Sequence, residues 1–252
     1  MLNRSLSIEV LFWTAWLVAA GWLGGLAMWA REEYYLPGDR AVTFGVQDLY
    51  TQSGADTFFE NANRAGDPWV LALVLGAMGL ILLGRRRAWE VMLVGAGGLA
   101  LLVATVVGEF TQRPDFEYLD MRASFEGLFH PRIYPDPGGF PSGHVYGEVL
   151  VYGLLLVLAP RILPWRWPML AARVLAALTI ITGFIAPMYL GTHWSSDCAG
   201  AALLGLLVVA PIWRADVFAR RDQVLIRVED IIGRRTVVRS TVSEARRPLR
   251  TR

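Results

Sequence analysis

Residues 68–108 read PWVLALVLGAMGLILLG-RRR-AWEVMLVGAGGLALLVATVVG. Two apolar runs, 68–84 and 88–108, flank Arg85-Arg86-Arg87, and Glu90 is the one other charge in the stretch. A helix rises 1.5 Å per residue, so about 20 apolar residues cross the hydrocarbon core of a bilayer. The stretch therefore reads as two membrane-spanning helices joined by a short basic turn. Short arginine-rich connections stay in the cytoplasm, which places this turn inside and the far ends of both helices outside.

Working outward, four more apolar runs lie at about 8–30, 144–160, 168–190 and 196–213, making six. The first follows Arg4 but is longer than a signal-peptide core and carries four tryptophans, so it reads as a retained span. The connection 161–167 holds Arg161 and Arg166, and Arg214 follows the last run. The loop from Arg31 to Asp67 is the opposite, with seven acids against three arginines. Both termini are thus expected inside, and loops 31–67, 109–143 and 191–195 outside. Composition agrees: of 252 residues 54% are hydrophobic and 18% charged, with mean hydropathy +0.40, whereas soluble domains are about a quarter charged. The expected fold is all-α, a polytopic membrane bundle of six transmembrane helices over 1–213, followed by a basic cytoplasmic tail, 214–252, held near anionic lipid headgroups.

Smaller features fit a bilayer. Trp29, Trp69, Trp89, Trp165, Trp167, Trp194 and Trp213 lie at run ends, where amphipathic rings settle. Gly21 with Gly25, and the cluster Gly95, Gly97 and Gly98, are read as places where helices approach closely. A net charge of +2 gives no reason to expect a nucleic-acid partner, and the lone Cys198 excludes an intrachain disulfide.

Chemistry concentrates on three pieces near the outer ends of the runs. Phe140-Pro141-Ser142-Gly143-His144 leads into the fourth: Ser142 is a helix N-cap, Gly143 lets a ligand approach the backbone, and a helix start favours anions. A plain capped helix start is the alternative. His193 and Asp197, four residues apart, share a helical face if the last helix begins near Gly191, and a carboxylate there fixes the tautomer and raises the basicity of the imidazole. An interfacial ion pair is the alternative, although an aspartate within a membrane segment points to function. Arg113-Pro114 follows the third run, and arginine binds phosphate oxygens in a fork; an ordinary outer-loop arginine before a helix-ending proline is the alternative. All three pieces fall on one side of the membrane, which makes a cationic, histidine-bearing site on the outer face.

These pieces resemble the type 2 phosphatidic acid phosphatase family, which also includes the vanadium haloperoxidases. Its motifs are Lys-x6-Arg-Pro, Pro-Ser-Gly-His and Ser-Arg-x5-His-x3-Asp. The second is intact here as Pro141-Ser142-Gly143-His144; the first keeps Arg113-Pro114 with Val106 at the lysine position; the third keeps His193 and Asp197 with Ala186-Pro187 in place of Ser-Arg. Gly66-Asp67-Pro68-Trp69 is also similar to the family, and the match spans roughly residues 50–210. The resemblance implies a membrane enzyme acting on a lipid-linked phosphate, in a bacterial cytoplasmic membrane with its site outward. It implies His193 as nucleophile, Asp197 as its orienting partner and His144 as the acid on the leaving oxygen. Ser142, Gly143 and Arg113 would hold phosphate oxygens. No metal or other cofactor is implied, because arginine and backbone dipoles neutralise the transferred charge. Arg122 and Arg132, in the same outer loop, are candidates for the missing cations. Arg132 comes first, since eight residues separate it from Pro141 and Pro135 and Pro137 stiffen the chain. Water is the expected acceptor; transfer to a lipid alcohol, or a non-catalytic lipid-binding relative, are the rival readings.

Overall fold

A computed structural model describes residues 2–33, 35–48, 55–113 and 139–216. The regular elements among them are helices: α1 (Leu2–Glu32), α2 (Asp39–Gln47), α3 (Ala55–Arg64), α4 (Pro68–Gly84), α5 (Ala88–Ala100), α6 (Leu102–Thr111), α7 (Gly143–Ile162), α8 (Arg166–Tyr189) and α9 (Ser195–Asp216). Five spans are long and apolar enough to cross a membrane: Ser7–Glu32, Ala88–Thr111 (α5 with α6), Gly143–Ile162, Arg166–Tyr189 and Ser195–Asp216. A sixth follows if α3 and α4, bent by 56° at their break, count together. Each apolar run of the sequence thus falls on a helix. α4 has only 17 residues, about 25 Å at 1.5 Å per residue, which makes it the shortest of the six. Its first residue is Pro68, whose missing N–H costs nothing in a first turn. The chain divides into two units, Met1–Ala210 and Pro211–Arg252, and of the second only the end of α9 is described.

α7 is the central helix: 72% of its span is buried, against 39% or less in the other four spans. It packs on α8, α4, α5 and α6. Glycines set several of these contacts. A Cβ on Gly97 would come within 2.2 Å of the Leu154 side chain of α7, one on Gly147 within 2.3 Å of Leu71 of α4, and one on Gly205 within 2.7 Å of Val149. Small residues at such points let helices approach in lipid, where dispersion contacts replace a hydrophobic drive. Of the glycines singled out in the sequence, Gly97 is such a contact. Gly21, Gly25 and Gly95 are not, since a Cβ on any of them would meet nothing within 4 Å. α1 presents Leu11, Leu17 and Trp22 outward as a lipid-facing span would, and is pinned by the Trp16 Nε1–H donating to the Leu207 carbonyl at 2.8 Å.

The segment 31–67 holds two helices, of nine and ten residues, that are too polar to appear as apolar runs. The buried residues of α2 are Asp39, Thr43 and Gln47, one face of three polar side chains spaced by four. α2 and α3 both pack on the end of α8. Gln47 Nε2 donates to the Met188 carbonyl at 3.1 Å, Tyr189 Oη to Asp56 Oδ1 at 2.6 Å, and Phe59 stacks on the Tyr189 ring at 4.2 Å. Trp194 departs from the expected interfacial belt. It is buried, against Tyr35 and Phe44, because α2 covers it. The other six tryptophans of that set are exposed.

Candidate active site

The end of α6 and the starts of α7 and α9 are tied together by two hydrogen bonds before either candidate imidazole enters. Thr111 Oγ1 donates to the Phe140 carbonyl at 2.6 Å, and the Ser142 N–H donates to the Asp197 carbonyl at 3.3 Å. Ser142 is the N-cap of α7, its Oγ accepting from the Val145 N–H at 3.5 Å. Gly143, the first residue of α7, is exposed, and a Cβ there would meet nothing within 4 Å. The helix start is therefore open to a ligand, and a helix start offers N–H groups and a positive dipole end.

His144 is half-buried one residue further in, with Nε2 at 3.2 Å from Asp67 Oδ1. Asp67 sits at the bend between α3 and α4, and its other oxygen accepts from Trp69 Nε1 at 3.2 Å. Gly66 makes this approach possible, since a Cβ on it would come within 2.9 Å of His144 Cβ. The sequence reading noted Gly66 and Asp67 but gave them no role. The available signal was an acid directly before a proline-started span.

His193 is buried and lies on the turn between α8 and α9, two residues before α9 starts at Ser195. The expected shared helical face with Asp197 is therefore not formed, and the two meet across the turn instead. The Pro187 carbonyl builds that turn, accepting from Thr192 N at 2.9 Å, His193 N at 3.4 Å and Thr192 Oγ1 at 3.3 Å. Proline at 187 thus supplies backbone where the motif has a cation. Asp197 is fully buried. Its Oδ2 accepts from Trp194 N at 2.9 Å and stands 3.6 Å from His193 Nδ1. That is charge contact rather than a formed hydrogen bond, and Nδ1 has no hydrogen-bond partner. His193 and His144 are close enough to interact electrostatically.

Arg113 follows Gln112, whose left-handed backbone ends α6. Its guanidinium is buried between two carboxylates. NH1 donates to Asp197 Oδ1 and to Ser196 Oγ at 2.9 Å, and NH2 to Asp39 Oδ2 at 3.1 Å. Nε alone has no partner.

Asp39 was missed as a site residue, being one of seven acids in an acidic loop. Its Oδ1 accepts from Ser195 Oγ at 2.8 Å and Ser196 N at 2.7 Å. Its Oδ2 accepts from Leu36 N at 2.7 Å, Ser196 Oγ at 2.7 Å and Arg113. Burial alone would raise the Asp39 carboxyl, but the bonds from the Leu36 N–H, the Ser196 hydroxyl and N–H and the Ser195 hydroxyl outweigh it and hold it below its usual value.

The structure therefore brings together His144, His193, Asp197, Ser142, Gly143 and Arg113, and adds Asp67 and Asp39. Val106, at the motif's lysine position, is 68% exposed on α6. Arg132, with Arg122 and His130, lies outside the described residues.

A family model described as the PAP2 superfamily matches residues 88–221, more than half of the chain. No curated protein matches it. The chain is similar to the crystal structure of a transmembrane PAP2 type phosphatidylglycerolphosphate phosphatase from Bacillus subtilis, with TM-score 0.61 and 20% identity over 80% of this chain and 95% of that one. At that identity the likeness is one of fold.

Proposed function

Since this chain belongs to the PAP2 superfamily, we propose that it is an integral membrane phosphatase that hydrolyses a lipid-linked phosphate through a phospho-histidine. The observation that supports this most is the meeting of two imidazoles, each with its own carboxylate, His193 with Asp197 and His144 with Asp67, beside the open start of α7. With Nδ1 of His193 turned to Asp197, Nε2 is left to attack phosphorus. The N–P bond forms, the bond from phosphorus to the lipid oxygen breaks, and His144 gives its proton to that oxygen. Water then attacks phosphorus, His144 takes the water proton, the N–P bond breaks and phosphate leaves. Ser142 and the N–H groups at Gly143 cradle the phosphate oxygens, as a helix start does for anions. Arg113 has Nε as the donor left for such an oxygen, and Arg132 from the outer loop is our candidate for further charge. The reaction as proposed uses no metal.

The test is phosphate release by purified protein from phosphatidate, phosphatidylglycerol phosphate, an isoprenyl pyrophosphate and a lipid A phosphate, with and without an alcohol acceptor and EDTA. At least one lipid should yield phosphate, undiminished by EDTA. Release from none would overturn the reading, and a phosphorylated alcohol would make it a transferase.

We place the protein in a bacterial cytoplasmic membrane, because the protein it is similar to in fold is a transmembrane one from Bacillus subtilis. We place the site outward on the strength of arginine-rich connections at 85–87, 161–167 and from 214 on. A reporter fused after Arg252 should then read cytoplasm, and one inserted near Gln52 should read outside. The reverse pattern would put the histidines on the cytoplasmic face. The tail from 214 forms, in this proposal, a region separate from the six-helix domain.

A further inference from the structure

We infer that Asp39 is a positioning residue of this site: it neutralises Arg113, so that the charge of Asp197 remains available to His193. The inference rests on the phosphoryl-transfer reading above for its purpose, and on geometry for its content.

Arg113 bonds both Asp39 and Asp197, and Asp197 also faces His193 Nδ1 at 3.6 Å. The three charges are one plus and two minus, a net of one minus, and His193 is the group placed to feel it. Remove the charge of Asp39 and Arg113 cancels Asp197, leaving a net of zero. A neighbouring carboxylate favours the imidazolium, and its loss disfavours it. The other charged or titratable groups of this neighbourhood include His144, which interacts with His193 directly, Asp67 behind His144, Glu148 one turn further along α7 against the same Gly66, and the buried Cys198 beside Asp197.

The Asp39 position is built for a carboxylate and not for its amide. Each oxygen faces a backbone N–H, Oδ1 that of Ser196 and Oδ2 that of Leu36. Hydroxyl donors can rotate; backbone N–H groups cannot. Whichever way an asparagine is turned, its NH2 meets one of them. α2 exists in part to deliver this group. Thr43, one turn on, accepts from Ser195 N at 3.2 Å, so two residues of α2 hold the first turn of α9, the turn that carries Asp197.

The experiment is an NMR titration of the His193 imidazole in detergent-solubilised full-length protein, without substrate. With three histidines in the chain, assignment takes one substitution each. Asp39→Asn should move the His193 midpoint down by about half to one pH unit, and Arg113→Gln should move it up by a similar amount, less than a direct charge neighbour would because both act through Asp197. The double variant Asp39→Asn with Arg113→Gln should return close to the wild-type midpoint. If one single variant fails to fold, the other decides by its opposite sign. A midpoint unmoved in the folded variants, or moved the same way by both, overturns the inference. The titration needs no turnover, so a wild-type protein that releases no phosphate would sink the proposed function and leave this result standing or falling by itself.

Discussion

Phosphate release falls to background, a loss of about 10⁴-fold or more, when His193 is replaced by alanine. On the proposed mechanism the N–P bond is formed at this ring. His144→Ala should cost about 10²–10⁴-fold, because the same ring serves as acid on the leaving oxygen and base on the water. Asp197→Asn should fall between the two. It removes charge support for the imidazolium and also disturbs the bonds from Trp194 N and Arg113. These losses should come without loss of the fold for His193→Ala, whose ring has no hydrogen bond at Nδ1 to forfeit. His130→Ala should retain activity. Steady-state assays on detergent-purified variants check all four, and near-normal release by His193→Ala would exclude a phospho-histidine at that position.

The spans and the candidate site residues were legible in the sequence for different reasons. A membrane span is written in composition over some 20 residues, so α1, α5 with α6, α7, α8 and α9 stand out wherever their neighbours lie. Ser142, His144, His193 and Asp197 were legible because they are short local patterns at span ends. Asp39 was not. Its face on α2 is Asp39, Thr43 and Gln47, three polar residues, whereas a buried face is ordinarily read from apolar ones. Apart from Leu36, its partners lie 74 to 157 residues away in sequence. Asp67 was half legible: the sequence shows an acid before Pro68, but only the bend between α3 and α4 shows that it reaches His144. The same distinction explains the glycines. Gly21 and Gly25 have the spacing of a helix contact yet face open space, while Gly66, in no such pattern, is pressed against His144. Spacing records which residues share a face and cannot record what that face meets.

Arg113→Ala should be about as damaging as loss of a catalytic histidine, and the structure adds a second expected loss. The guanidinium spans from Asp39 through Ser196 to Asp197, and its side chain is 1% exposed, as is that of Asp39. Removing the cation leaves two carboxylates buried without it. Breaking a buried pair from one side costs about 3–5 kcal/mol, a large share of the roughly 5–15 kcal/mol that holds a typical domain folded. The variant should therefore melt well below the wild type in detergent and release phosphate at background. Lysine should not restore it. One ammonium cannot reach both carboxylates in the fork that NH1 and NH2 form, so Arg113→Lys should fold better than alanine yet remain at least about tenfold impaired. Melting and activity together separate two roles for the residue. Lost activity with a lowered melting point is the signature of the clamp on Asp197. Lost activity with wild-type melting would move the role of Arg113 onto the substrate phosphate through Nε. Wild-type activity in Arg113→Ala would remove the residue from the site altogether, and with it the reason for Asp39 to be where it is.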